Sequence, residues 1–426
     1  MSNVRIMLLA GVAALALALP GLAQACPAKI GAVLSLTGSY ATFGPPISDA
    51  ASLSVELMNK AGWHVGDCKE LTYIVRDDQT QPSVGVDAAR RLIDLDKVAA
   101  LVGPISSGVT GPVLSSVTVD AGALVVASAS TSPTFTQMAR EGKLKGLFYR
   151  MQPSDALQAV AAAKLAFDTG LRKLVVVNLN NDWGNNLSKQ FIATFKGLGG
   201  EITEQVTYNA EQPSYRPEVN KALKGDPEGA YVIASPVDGA KILRDWIALG
   251  GPDKFVFPLG MNDAKLIEQV GEQYLKNAWY LTPGAPQLNS RAIFYETYEK
   301  RYGIEPGKGP GPGRDSGFDA ASVIALAMVA ANNYTDGKAI AAAISRVTDP
   351  AGTPISATVE GFSEAIKRLN AGESIRYVGA TGALRHDEFG DVTTPFVGWQ
   401  VEKGTFVQKK EITADEVAEV KVKTGT

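Results

Sequence analysis

Short runs of β-branched and apolar residues recur along the chain. They lie at 29–36, 71–77, 99–102, 123–127, 174–179, 202–208, 230–234, 255–259 and 279–281, each followed by a longer stretch with helical spacing. Between the first two runs, Ala50, Leu53, Leu57, Met58 and Ala61 fall on one helical face. Near-continuous apolar strands alternating with helices predict parallel sheets covered on both faces. The alternation runs once from Lys29 to about Phe148 and again from Lys173 to about Leu281. Two doubly wound α/β units in tandem, with a cleft between them, are therefore expected, and 426 residues suffice for two to three cores. In such sheets ligands bind beyond the carboxyl ends of the strands. The Gly-Pro-rich stretch 306–313 reads as a connecting loop, helical spacing resumes at 318–331, and a hairpin-like pair surrounds Glu402-Lys403-Gly404.

The first 25 residues have the order of a secretory signal. Arg5 precedes an apolar run at 6–19, followed by Pro20-Gly21 and then Ala23-Gln24-Ala25. That run is shorter than the ~20 residues a membrane-spanning helix needs, and no later stretch is long and apolar enough either. A chain beginning at Cys26 outside the cytoplasm, in the periplasm, is expected. Two uses of Cys26 stay open: a disulfide with Cys68, since paired cysteines suit an exported protein, or a lipid anchor. Ala23 stands where a lipobox usually carries Leu, and Leu22 is one place too early.

Much chemistry is excluded. Lys and Arg number 41 against 44 Asp and Glu, for a net charge of −3, and no basic stripe exists to neutralise a nucleic-acid backbone. Two histidines, His64 and His386, and two cysteines leave no set of metal ligands, so no metal and no cofactor are expected. Neither a G-x-x-x-x-G-K-[ST] phosphate loop, nor G-x-G-x-x-G, nor a G-x-S-x-G elbow occurs. The chain does not read as an enzyme.

What remains is a set of small hydroxyl residues at strand ends. Gly103-Pro104-Ile105-Ser106-Ser107-Gly108 lies where the third run ends and a helix begins, and Ala129-Ser130-Thr131 follows the fourth run. Free N–H groups and hydroxyls at adjacent strand ends could grip one carboxylate. Ordinary N-capping by Ser106 or Thr131 would leave the same pattern, and spacing alone does not separate the two.

The segment Leu36-Thr37-Gly38-Ser39-Tyr40-Ala41-Thr42-Phe43-Gly44 resembles the first-strand signature of type I periplasmic binding proteins, in the leucine/isoleucine/valine-binding branch that serves ABC importers. Asp77-Asp78, Gly103-Pro104 with Ser107, Ala129-Ser130-Thr131, Trp183-Gly184, Phe318-Asp319-Ala320 and Gly382-x-Leu384…Asp387-x-x-Gly390-Asp391 match it in order. The resemblance implies two Rossmann-like lobes closing like a Venus flytrap on a small ligand. Three crossings would join them, near Arg150-Met151, Leu281-Thr282 and Thr393-Thr394. Lobe 1 would comprise 26–150 plus 283–393, and lobe 2 would comprise 151–282 plus 394–426. It implies that Ser107, Ala129 and Thr131 hold a ligand carboxylate and that Ser130 and Tyr40 belong to the site. Trp183 would close over the ligand from the second lobe. The implied partners are a small molecule and the ABC permease subunits of the inner membrane, the protein itself being a monomer. A periplasmic sensor that presents its closed form to a signalling receptor would carry the same motifs.

Two positions depart from the branched-chain pattern. Where those proteins place a glutamate for the ligand ammonium, this chain reads Gly260-Met261-Asn262-Asp263, which makes Asn262 the nearest match and Asp263 a substitute. A second-lobe aromatic position corresponds to Ser235. An insert at about 353–377, with a helical stretch at 362–369, also exceeds the short branched-chain form. The ligand could thus be an amino acid, an amide or an aromatic acid.

Overall fold

A computed structural model of the protein describes residue 26 and residues 28–284, 289–304 and 313–426. The expected signal segment and most of the 306–313 loop lie outside these residues. In chain order the strands are β1 (Lys29–Leu34), β2 (Thr72–Asp77), β3 (Ala100–Val102), β4 (Leu124–Ala127) and β5 (Phe148–Arg150), then β6 (Lys173–Leu179), β7 (Glu201–Tyr208), β8 (Gly229–Ile233), β9 (Phe255–Phe257) and β10 (Trp279–Pro283). They are followed by β11 (Thr353–Ser356), β12 (Ile375–Gly379), β13 (Gly382–Ala383), β14 (Phe396–Glu402) and β15 (Thr405–Ile412). All nine runs read from the sequence form strands, with ends within two residues of expectation.

The first sheet has the order β2-β1-β3-β4-β5 and is parallel throughout. The second has the order β15-β14-β10-β9-β8-β6-β7, parallel from β7 to β10 and antiparallel where the β14–β15 hairpin is added. A small sheet, β11-β12-β13, carries the insert. The chain leaves the first lobe after β5, rejoins its core after β10 through the helix Arg314–Ala331 and the β11-β12-β13 sheet, and passes to the second sheet again at β14, giving three crossings between two lobes.

The central strands of each main sheet are buried on both faces, which is why they are apolar rather than alternating, while the edge strands β2, β7 and β15 are partly exposed. Every residue of β3, β4 and β8 is buried. The helix Gly44–Lys60 turns Ala50, Leu53, Leu57 and Met58 inward and packs along the helix Arg314–Ala331, while Ala61 stands just past its end, half-buried. Two polar contacts fix that helix pair: the Ser54 and Ser322 hydroxyls share a 2.8 Å hydrogen bond, and Trp63 Nε1 donates to the Ala325 carbonyl at 3.0 Å. Phe362, Leu369, Ile375 and Tyr377 of the insert join the same core, so the insert extends the first lobe. One buried carboxylate anchors it. Asp319 accepts from the Tyr377 hydroxyl and from the amides of Ala380 and Thr381, at 2.7–2.9 Å. Gly379 is required beside it, since a Cβ there would lie 2.1 Å from Asp319 Oδ1.

Cys26 and Cys68 are joined as a disulfide, with Cα atoms 5.2 Å apart. This pins the start of the described chain beside the turn that leads into β2.

Candidate functional site

The carboxyl ends of the strands of both sheets face one cavity. From the first lobe, Tyr40, Phe43 and Ile47 follow β1, Ile105, Ser106 and Ser107 follow β3, Ala129 and Thr131 follow β4, and Gln152 follows β5. Trp183 after β6 and Leu259-Gly260 after β9 close it from the second lobe, with Gly313 completing the wall. The walls enclose about 520 Å3, counted out to the open mouth.

The hydroxyls divide into those that face the cavity and those that brace it. Ser107 Oγ accepts from the backbone N–H groups of Thr131 and Ser132, each at 3.2 Å. Those two bonds occupy its lone pairs and leave its own O–H to donate. Thr131 Oγ1 donates to Asp155 Oδ2 at 2.9 Å. Neither capping alternative is realised. Ser106 makes no side-chain cap bond, and it is Ser132 that caps the helix Pro133–Arg140 by accepting from Thr134 N at 3.2 Å. Ser130 lies behind the wall, fully buried, its hydroxyl bonded to Thr110 Oγ1 at 2.5 Å and near the Pro104 carbonyl at 2.9 Å. The structure therefore places Ser130 as a brace between the two turns and not on the cavity surface.

Trp183 begins the second-lobe helix Asp182–Gly197 because the backbone turns sharply there. Asn181 Oδ1 accepts from Gly184 N at 2.8 Å, and a Cβ on Gly184 would meet the Leu179 carbonyl oxygen at 2.1 Å. The indole is 7% exposed and stands edge-on to Tyr40 of the first lobe, ring centroids 6.5 Å apart. Burial and the nearby carboxylates of Asp238 and Asp155 push the Tyr40 hydroxyl far above its ordinary pKa. It keeps its proton and acts as a donor.

Ser235 and Asn262 do not line the cavity. Ser235 is the N-cap of the helix Pro236–Ala248, accepting from Asp238 N at 3.2 Å. Asp238 in turn accepts from the Tyr215 hydroxyl at 2.6 Å and from Glu211 N at 3.1 Å. Asp263 caps the helix Ala264–Val270 through Lys265 N, and Gly260 lines the cavity wall. No charged side chain among the described residues lines the cavity. Among the described residues no group of three or more His, Cys, Asp or Glu could hold a metal ion.

Contacts between the lobes run along the lips. Ser39 Oγ donates to Glu211 Oε1 at 3.4 Å, Thr134 Oγ1 donates to Asp182 Oδ1 at 2.9 Å, and Asn186 Nδ2 reaches Thr134 Oγ1 at 3.3 Å. Behind the cavity, Asp155 is fully buried and held up at about 7, chiefly by burial, against the hydrogen bonds from Thr131 and Gln158 and the charge of Arg150.

Sequence reasoning missed Ile47, Ile105, Gln152, Leu259 and Asp155. Ile47 lies outside the motifs that pointed to the site, Ile105 stands among the small residues of 103–108 without a role of its own, and Gln152 follows β5, a strand of three residues ending in arginine. Asp155 opens a helix and reads as an ordinary first-turn acid.

The family model described as periplasmic binding protein matches residues 27–372. The chain belongs to that family. The chemotactic signal transduction system substrate-binding protein BasB of Halobacterium salinarum is 25% identical over 370 residues, covering 84% of this chain and 82% of that one. Among solved structures, the leucine-binding protein LivK of Thermotoga maritima superposes with a TM-score of 0.76 at 23% identity, covering 91% of this chain and 99% of its own. A solute-binding protein of an ABC transporter from R. palustris, in complex with 4-hydroxybenzoate, gives a TM-score of 0.73 at 17% identity, covering 91% and 96%. These likenesses fix the fold of this periplasmic binding protein as two parallel-sheet lobes. No helix of the described residues is long and apolar enough to cross a membrane.

Proposed function

We propose that this protein is the extracytoplasmic solute-binding component of an ABC importer. It takes up a small carboxylate between its lobes and delivers it to membrane permease subunits, making and breaking no covalent bond. The observation that carries the reading is the cavity itself. Hydroxyls of Ser107 and Thr131 share its lining with apolar Phe43, Ile47, Ile105, Trp183 and Leu259, drawn from both lobes. A carboxylate on an apolar body fits that combination. In this reading Ser107, Thr131 and the Ala129 backbone hold the carboxylate, Tyr40 donates to it or to a polar substituent, and Trp183 covers the body. Residues 26–150 plus 283–393 move against 151–282 plus 394–426, and residues 1–25 direct export to the periplasm.

The named ligands of similar proteins, leucine and 4-hydroxybenzoate, set the range of candidates: amino acids, related amides and aromatic acids. The likeness to BasB supports a second reading, in which the closed form is presented to a chemotactic signalling receptor. A thermal-shift panel of leucine, isoleucine, benzoate, 4-hydroxybenzoate and their amides tests the ligand class. A ligand at 100 times its Kd adds about 2.7 kcal/mol to stability. No shift from any carboxylate would overturn the proposal. Uptake assays and receptor-activation assays with the ligand so found separate transport from sensing.

A further inference from the structure

We infer that Asp155 sets the hydrogen-bond polarity of Thr131 toward the ligand, so that binding a carboxylate lacking an amino group draws one proton onto Asp155. This rests on the carboxylate reading above and names the subclass of ligand. The backbone N–H of Leu259 donates to Gln158 Oε1 at 2.8 Å, which fixes the amide orientation, because a backbone N–H can only donate. Gln158 must therefore present its Nε2 to Asp155, and it donates to Oδ1 at 2.6 Å. Oδ1 is thereby committed to accepting. A proton added to Asp155 has one place to go, Oδ2, which faces Thr131 Oγ1 at 2.9 Å.

Thr131 owns a single hydroxyl hydrogen. While Asp155 is ionised that hydrogen is spent on Oδ2, and the threonine offers the cavity only a lone pair, suited to an ammonium or amide N–H. Once Asp155 is neutral, Oδ2–H donates to Thr131 Oγ1 and the threonine hydrogen is released to the cavity, suited to a carboxylate. The surroundings leave the balance close. Arg150 from β5 favours the anion, and Asp182 from the helix Asp182–Gly197 opposes it. Tyr40 from the loop after β1 and Tyr231 from β8 also stand near, both held in the neutral form by burial. With no cation among the described residues of the cavity wall, a bound carboxylate adds a further negative charge near Asp155. Asp155 responds by taking a proton from solvent. Asp155 is thus a positioning residue that acts through Thr131.

Calorimetric titration with benzoate and with 4-hydroxybenzoate, in two buffers of different ionisation enthalpy at pH 6 to 9, counts the protons taken up. Wild type is expected to take up close to one proton per acid bound at pH 8. Its affinity should fall by up to tenfold per pH unit above about pH 7. In Asp155→Asn, Gln158 holds Oδ1 and leaves Nδ2 as a permanent donor to Thr131. That variant should bind without proton uptake and with a flat pH profile. Should it fail to fold, Thr131→Val, which removes the hydroxyl, must abolish the uptake instead. Acid binding without proton uptake, or the same uptake in Asp155→Asn, overturns the inference and leaves the carboxylate reading standing. Binding of leucine alone, with neither acid bound, also overturns it. Absence of binding by every carboxylate removes the reading and the inference together.

Discussion

Arg150 is the most consequential charge outside the cavity, and Asp391→Ala isolates its contribution. The guanidinium ends β5 and has no solvent exposure. Nε donates to Asp391 Oδ1 at 2.7 Å, Nη1 to the Ser132 carbonyl at 2.9 Å and Nη2 to Thr136 Oγ1 at 2.8 Å. Thr136 Oγ1 donates onward to Asp391 Oδ2 at 2.6 Å, so a single carboxylate neutralises the group. Removing it leaves a buried cation with only neutral acceptors, a change that costs about 3–5 kcal/mol. Asp391 keeps 12% of its side chain exposed, and water entering there holds the loss near the lower end, about 3 kcal/mol. Against a whole-protein stability of about 5–15 kcal/mol, that is a large fraction. Urea unfolding at pH 7 reads the change as a lower midpoint at unchanged slope. Arg150→Met combined with Asp391→Leu removes both charges and should recover at least about half of the loss, since an apolar replacement of a buried pair is often close to neutral. A loss under about 1 kcal/mol in Asp391→Ala, or a double variant no more stable than the single one, would refute the reasoning.

Ser107→Ala removes a hydroxyl whose lone pairs are already occupied and whose proton is free for a ligand carboxylate. A ten- to hundredfold rise in Kd by calorimetry is expected, from about 1.5–3 kcal/mol for a hydrogen bond to a charged group. Trp183→Ala should weaken binding, and ligand should change the fluorescence of wild type far more than that of Trp183→Phe, in which four other tryptophans remain. Asp319 is pushed up to about 6 by burial, despite its hydrogen bonds. The folded state therefore binds its proton more tightly than the unfolded chain, and the resulting stability is full below about pH 4 and lost as pH rises through about 6. The stability of wild type relative to Asp319→Asn should accordingly grow as pH is lowered from 7 to 4, as followed by thermal melts.

The fold was legible because a parallel sheet covered on both faces needs apolar central strands. Nine short β-branched and apolar runs recur along the chain, the edge runs 71–77 and 202–208 being the more polar. β5 was not legible, because Phe148-Tyr149-Arg150 ends in a charge whose partner lies 241 positions away. The small sheet of the insert was missed for a related reason. β13 has only two residues, and its turn is held by Asp319 on a distant helix. In the site, strand ends pointed to Ser107 and Thr131, yet neighbouring hydroxyls look alike in a sequence. Only the backbone geometry shows Ser107 on the surface of the cavity, Ser130 turned away from it and Ser235 used as a cap. Asp155 carries no local signal at all, since its character comes from burial and from Gln158 and Thr131.

The bonds along the lips, from Ser39 to Glu211 and from Thr134 to Asp182, carry a kinetic consequence. If a captured molecule leaves only when the lobes part, as the proposed closure implies, the edge-on contact of Trp183 with Tyr40 must loosen first. The molecule's residence time is then bounded by the opening rate of the protein, however weak its own contacts are. Loosening a lip contact, as in Thr134→Ala, should therefore speed release of every ligand by a similar factor. A substitution inside the cavity should change release for some ligands and not for others. In that reading lip residues set the rate of release, and cavity residues choose the ligand.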